Sequence, residues 1–86
     1  GSWATLYNAL TKDINNNIVQ AQHLGVDTSG SFIYSDIPER LIATVDVRDL
    51  IIVDTRDALL VVPREQSQRV RAVIERLEEE QRPEFL

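Results

Sequence analysis

The chain contains no cysteine and no methionine, and it has only one histidine, one tryptophan and three glycines in 86 residues. Without cysteine there can be no disulfide framework, zinc–thiolate site or thiol nucleophile. The glycines, Gly1, Gly25 and Gly30, leave little material for a phosphate-cradling loop, and neither GxxxxGK[ST] nor GxGxxG occurs. No apolar run approaches the roughly twenty residues of a membrane span. No basic stretch followed by an apolar one marks a secretory signal. Basic residues are also scarce: 9 Lys and Arg face 14 Asp and Glu, giving a net charge of −5. Nucleic-acid binding depends on Lys and Arg neutralising phosphates, so this balance disfavours it. The simplest expectation is a cytoplasmic domain with neither membrane nor nucleic acid as partner.

What is present is aliphatic. With 43% hydrophobic and 27% charged residues, the chain has the composition of a soluble globular domain. A domain this small hides only about 60–65% of its unfolded surface, so its stability is modest. The densest stretch is Leu41–Val62, LIATVDVRDLIIVDTRDALLVV. Three short bursts rich in β-branched residues, separated by acidic turns, predict tightly connected buried strands. Upstream, Ile18–Asp27 reads as one or two short strands, Thr28–Ser31 as a turn and Phe32–Tyr34 as a strand. Asp36–Arg40 reads as a loop, because Pro38 biases Ile37 towards extended geometry.

Helices are expected at both ends. Ser2 can cap a helix over Ser2–Lys12 whose face is Trp3, Leu6, Tyr7 and Leu10, and the asparagines before Ile18 stop it. Glu65–Gln81 carries Val70, Val73, Ile74 and Leu77 at helical spacing, and Pro63 suits both the end of the last strand and the start of this helix. Glu78–Glu80 fit its solvated side. The organisation is therefore an N-terminal helix in residues 1–13, a short-strand β unit in 14–63, and a C-terminal helix and tail in 64–86.

Leu41, Val47, Val53 and Leu59 recur at steps of six, and Ile18 and Leu24 share the spacing. Hexapeptide rhythm marks a parallel β-helix. The fold class expected is mostly β with flanking helices: a short β-helix-like coil or, alternatively, a small β meander or sandwich.

No residue set suggests chemistry. His23 has no ligand-type neighbours and reads as structural. Asp46, Asp49, Asp54 and Asp57 stand near strand ends, where a cation would need several oxygens converging on one point. Turn aspartates more commonly accept bonds from nearby backbone N–H groups. Ser29, Ser31, Ser35 and Ser67 have no base beside them. No catalytic, cofactor-binding or metal-binding residue is assigned.

The order GSW-x-x-L-Y, then N-x-V-x-A, D-T and S-F-I-Y-S, then Leu41–Val62 and a charged helix, resembles the C-terminal region of bacterial mannose-1-phosphate guanylyltransferases, members of the sugar nucleotidyltransferase group. The resemblance spans roughly residues 1–80 and is most specific at Asp49-Leu50, Val53-Asp54-Thr55 and Asp57–Val61. The family has Gly where Asp46 stands and Pro where Arg56 stands. Asp tolerates left-handed geometry, and losing the proline removes a constraint without removing the turn. The resemblance implies a left-handed β-helix-like unit with a terminal helix, which packs subunits and braces an upstream nucleotide-binding catalytic domain. It implies a parent enzyme that joins GTP and mannose 1-phosphate into GDP-mannose and pyrophosphate with Mg²⁺. It transfers no catalytic residue here, since the family's glycine-rich loop and the metal-binding aspartate before G-S-W lie upstream. The expectation is a non-catalytic structural or dimer-forming unit without a cofactor of its own. The alternative is a free-standing interaction or effector-sensing module.

Overall fold

Every aliphatic burst becomes a strand in the computed structural model, which describes residues 12–85. The strands are β1 (Ile18–Gln20), β2 (Gln22–Val26), β3 (Phe32–Ser35), β4 (Leu41–Val45), β5 (Leu50–Asp54) and β6 (Leu59–Pro63). A 3-10 segment, Arg64–Arg69, leads into the helix α1 (Val70–Glu79), and a short 3-10 turn covers Pro83–Phe85. The expected N-terminal helix lies outside the described residues except for Lys12 and Asp13, which are not helical.

Strand pairing decides between coil and meander. The strands form two sheets, ordered β1-β3-β5-β6 and β2-β4. β1, β3 and β5 are mutually parallel, with Ile18 opposite Phe32 and Phe32 opposite Ile51. β2 and β4 are also parallel, with Gln22 opposite Leu41. A single parallel bridge, Ser29 to Arg48, links a third side. A chain that visits one sheet, crosses to the other and returns parallel to its own start is winding, because a meander would return antiparallel. Only β6 behaves as a meander would, pairing antiparallel to β5. The Thr55–Ala58 turn makes that hairpin, with the Thr55 N–H and hydroxyl both donating to the Ala58 carbonyl at 2.9 and 3.0 Å. The turn closes with Arg56 in it, so it needs no proline there.

The six-residue rhythm does not describe the winding. Gln22 meets Leu41, Ser29 meets Arg48 and Phe32 meets Ile51, each nineteen residues on, whereas Ile18 meets Phe32 fourteen residues on. The corner between β1 and β2 is Ala21 alone, but the corner between β3 and β4 is Asp36–Arg40. Uneven corners shift any fixed period. As a result Leu24, Leu41 and Leu59, all on the rhythm, are exposed.

The core lies in rows across the larger sheet. Ile18, Phe32, Ile51 and Val62 stand side by side, one per strand, and form one buried cluster with Val70 of α1 packed against it. Neighbouring residues on a strand point to opposite faces, yet Ile33 and Ile52 are buried as well. Both faces of the central strands are therefore covered, which explains the unbroken apolar runs.

Two pairs of left-handed residues shape the corners. Asp27 and Asp46 hold equivalent places in successive coils, with φ of 53° and 55°, and so do Gly30 and Asp49, with φ of 65° and 55°. The Asp46 turn thus survives without glycine. Gly30 is needed for space as well as for φ, because a Cβ there would run into Asp49 Oδ1.

The C-terminal helix differs from the expected Glu65–Gln81. Gln66 leaves helical geometry (φ −113°, ψ 20°), so regular α-helix begins only at Val70. The apolar spacing persists through this break and hides it.

Candidate functional site

The first coil carries a polar seam. Asn17 is buried just before β1, donating from Nδ2 to the Thr28 carbonyl and accepting from the Ser31 N–H, both at 2.9 Å. Asp13 Oδ1 prepares this approach by accepting from the N–H groups of Asn15 and Asn17. Ser31 Oγ donates to the Ser29 carbonyl and accepts from the Leu50 N–H one coil on. Arg64, arriving from β6, donates to the Gly30 carbonyl at 2.7 Å and lies 3.6 Å from Asp49 Oδ1.

His23 joins this seam from β2. Its Nε2 is 2.9 Å from Thr44 Oγ1, which also bonds to buried Thr28 Oγ1. Partial burial lowers its pKa from the ordinary 6.5, against an opposing pull from the Asp13 carboxylate. Burial thus favours the neutral form of the ring. Asp13, Asn17, His23, Asp27 and Arg48 line an open cleft of about 460 Å³ beside it.

The far end of the coil has the opposite character. Among the described residues no strand pairs with the outer edge of β4, while β5 is covered by β6. Leu41, Ile42, Ile52, Leu59 and Val61 border a groove of about 320 Å³ there. Asp54 is the buried charge at its rim. It accepts from Arg40 Nε at 3.1 Å and from Ser35 Oγ at 3.0 Å, and Ser35 Oγ in turn accepts from the Ile37 N–H.

The structure scatters the aspartates singled out in the sequence. Asp46 meets Arg48 at 2.6 Å, Asp49 faces Arg64 and Asp54 faces Arg40, so each of these three has an arginine partner, and Asp54 has Ser35 as well. Asp57 lies exposed in the β5–β6 turn. Among the described residues no three His, Cys, Asp or Glu side chains group as a metal site would require. Ser29, Ser31 and Ser35 bridge coils and corners, and Ser67 is buried in the 3-10 segment. The buried polar side chains of the described residues all have hydrogen-bond partners. Asn17 is the member sequence reasoning missed: within a run of asparagines it looked like a solvated turn. Among the described residues no helix is long and apolar enough to cross a membrane.

Parallel two-sheet winding, stacked left-handed corners and internally satisfied polar groups define a β-helix-type scaffold. A family model described as the MannoseP isomerase/GMP-like beta-helix domain matches residues 20–77, and the chain belongs to that family. Mannose-1-phosphate guanylyltransferases of Klebsiella pneumoniae and Escherichia coli are each 38% identical over 85 residues, covering 99% of this chain. The chain spans only 18% of the length of either. The crystal structure of mannose-1-phosphate geranyltransferase from Thermus thermophilus superposes with a TM-score of 0.76 and 32% identity, covering 90% of this chain and 23% of that one. The chain is thus similar to the C-terminal region of a larger enzyme type.

Proposed function

We propose that the chain is a non-catalytic scaffold of a mannose-1-phosphate guanylyltransferase, a cytoplasmic enzyme forming GDP-mannose and pyrophosphate from GTP and mannose 1-phosphate with Mg²⁺. In this reading it winds left-handed, braces a separate catalytic region that binds GTP, and joins copies of the enzyme into an oligomer. The observation that carries it is where the polar side chains go. Asn17, Thr28, Ser31 and Thr44 are buried and bonded to one another, to His23 or to backbone, and buried Asp54 accepts from the side chains of Ser35 and Arg40, holding coil to coil. Groups committed in this way are poor candidates for binding a substrate. Exposed Leu24, Val26, Leu41, Val45, Leu59 and Val61 supply contact area instead.

Pyrophosphate release by the isolated chain, given GTP, mannose 1-phosphate and Mg²⁺, tests the catalytic half of this reading. No release is expected, and turnover would place chemistry inside the scaffold. Sedimentation over rising concentration tests the assembly half, and a clean monomer throughout counts against it. The polar cleft beside His23 favours one second reading, an effector-sensing module. Saturable, stoichiometric binding of a sugar phosphate or nucleotide would support it.

A further inference from the structure

Helix α1 carries its charges in an order that does not help it stand alone. A helix N-terminus favours acidic side chains and a C-terminus basic ones. Here the first turn holds Arg71 and no acid and Arg69 precedes it, while at the end Glu78, Glu79 and Glu80 outnumber Arg76. Within the helix Arg71 also precedes Glu75 by four, the weaker orientation for such a pair. Among the described residues, the ion pairs of this region amount to the exposed contact between Glu80 and Arg82.

The apolar side of the same helix is uncovered. Val70 reaches the core cluster, but no residue of α1 is buried, and Val73 and Ile74 remain 48% and 43% exposed. Ala72, Val73, Leu77 and the Arg76 stem border a shallow apolar groove along it.

Resting on the scaffold reading above, we propose that a second copy of this chain covers α1, the two helices packing antiparallel about a two-fold axis. Arg71 and Glu78 lie two turns apart on one flank of the Val70–Val73–Ile74–Leu77 stripe, and Arg69 and Glu80 border the other. The midpoint of each pair falls between Ile74 and Glu75. A single two-fold axis at that point brings Arg71 opposite the Glu78 position of the other copy and Arg69 opposite its Glu80 position. A self-complementary surface is what an isologous contact requires. Antiparallel packing also sets the two helix dipoles head to tail. A parallel arrangement would place arginine against arginine and glutamate against glutamate. The helix is only about 15 Å long, so the contact is small, at the weak end of specific interfaces, and sensitive to salt.

Sedimentation equilibrium of the whole chain, from about 10 µM to about 1 mM, tests this. Reversible dimerisation is expected, weaker at high salt. I74E, at an exposed position, should abolish it while leaving the circular dichroism spectrum intact. R71E or E78R alone should weaken it about tenfold. An equimolar mixture of the R71E and E78R chains should recover association, because unlike copies then present opposite charges at both contacts. A dimer that ignores I74E and both charge reversals lies on another surface, which overturns this proposal and leaves the scaffold reading standing. A folded monomer at every concentration overturns both this proposal and the assembly half of that reading. Failure of the mixture to recover association where both single variants weaken it overturns the antiparallel register.

Discussion

The two coils use equivalent positions for different chemistry. Where the first has His23, Gly25, Thr28, Gly30 and Ser31, the second has Ile42, Thr44, Val47, Asp49 and Leu50. The first is joined through hydrogen bonds at a polar corner. The second lies against the Ile18–Phe32–Ile51–Val62 row and ends in an apolar groove. A backbone that winds in parallel is therefore compatible with either lining, provided each rung satisfies its own polar groups. The difference also gives the unit two unlike ends, one polar and one apolar.

The apolar rung should be the more costly to damage. Ile51 is fully buried at the centre of the row, between Phe32 and Val62. Ile51→Ala removes packing on both sides and should cost about 3 kcal/mol, lowering the melting temperature on the order of 15 °C. A thermal melt showing a loss under about 1 kcal/mol would mean that the row is not the core.

The polar rung comes next. Asn17→Ala leaves the Thr28 carbonyl and the Ser31 N–H without their partner. Stranding two buried backbone groups should cost about 2 kcal/mol, less if water enters the neighbouring cleft. Chemical denaturation measures it. A cost equal to that of Ile51→Ala would erase the distinction between the coils.

Gly30→Ala attacks the junction between them. The new methyl meets Asp49 Oδ1 and sits on a left-handed backbone. A loss of about 1–2 kcal/mol is expected in denaturant melts. Combining it with Asp49→Ala should recover the steric part, and a strictly additive double variant would mean the two residues do not touch.

Strand positions were legible because aliphatic bursts bounded by Asp leave few other readings. Their partners were less so. Parallel pairing joins residues nineteen apart, and the sign of it is a loose echo: Val26-Asp27 and Val45-Asp46, each followed three residues after the Asp by a left-handed Gly30 or Asp49, then by Phe32-Ile33 or Ile51-Ile52. The echo is easy to overlook because only the turn geometry repeats, while the lining residues change from polar to apolar. The residues alone left coil and meander open, and β5–β6 does pair as a meander would. Asn17 was not legible as a buried group, since its role depends on Thr28 and Ser31 being folded beside it. Nor was the break at Gln66, where apolar spacing continues through non-helical backbone.

Acid should separate the coils more gently. His23 has a folded pKa below its unfolded value. Between those two values the unfolded chain binds more protons, so this residue's contribution is present above about pH 6.5 and is lost as pH falls towards the folded pKa. The slope of stability against pH from 7 to 5 should be steeper for the natural chain than for His23→Gln. An NMR titration of the ring should give a midpoint below 6.5. A midpoint above it would mean that the Asp13 field outweighs burial.

The smallest effect should come from Asp46→Gly, which removes the side chain at a left-handed corner of the second coil. Two terms oppose each other. Glycine relieves the left-handed strain at φ 55°, about 1 kcal/mol or slightly more for an L-residue. It also gives the unfolded chain more freedom, at a cost of roughly 0.5–1 kcal/mol. The ion pair to Arg48 is exposed on both sides, so its loss counts for little. The net should be a gain of no more than about 0.5 kcal/mol in denaturant melts. The reverse exchange is not equivalent: Gly30→Asp would give the first coil the second coil's residue and drive it into Asp49. If Asp46→Gly instead loses about 1 kcal/mol or more, the carboxylate is holding the corner through Arg48, and the two coils differ in their turns as well as in their linings.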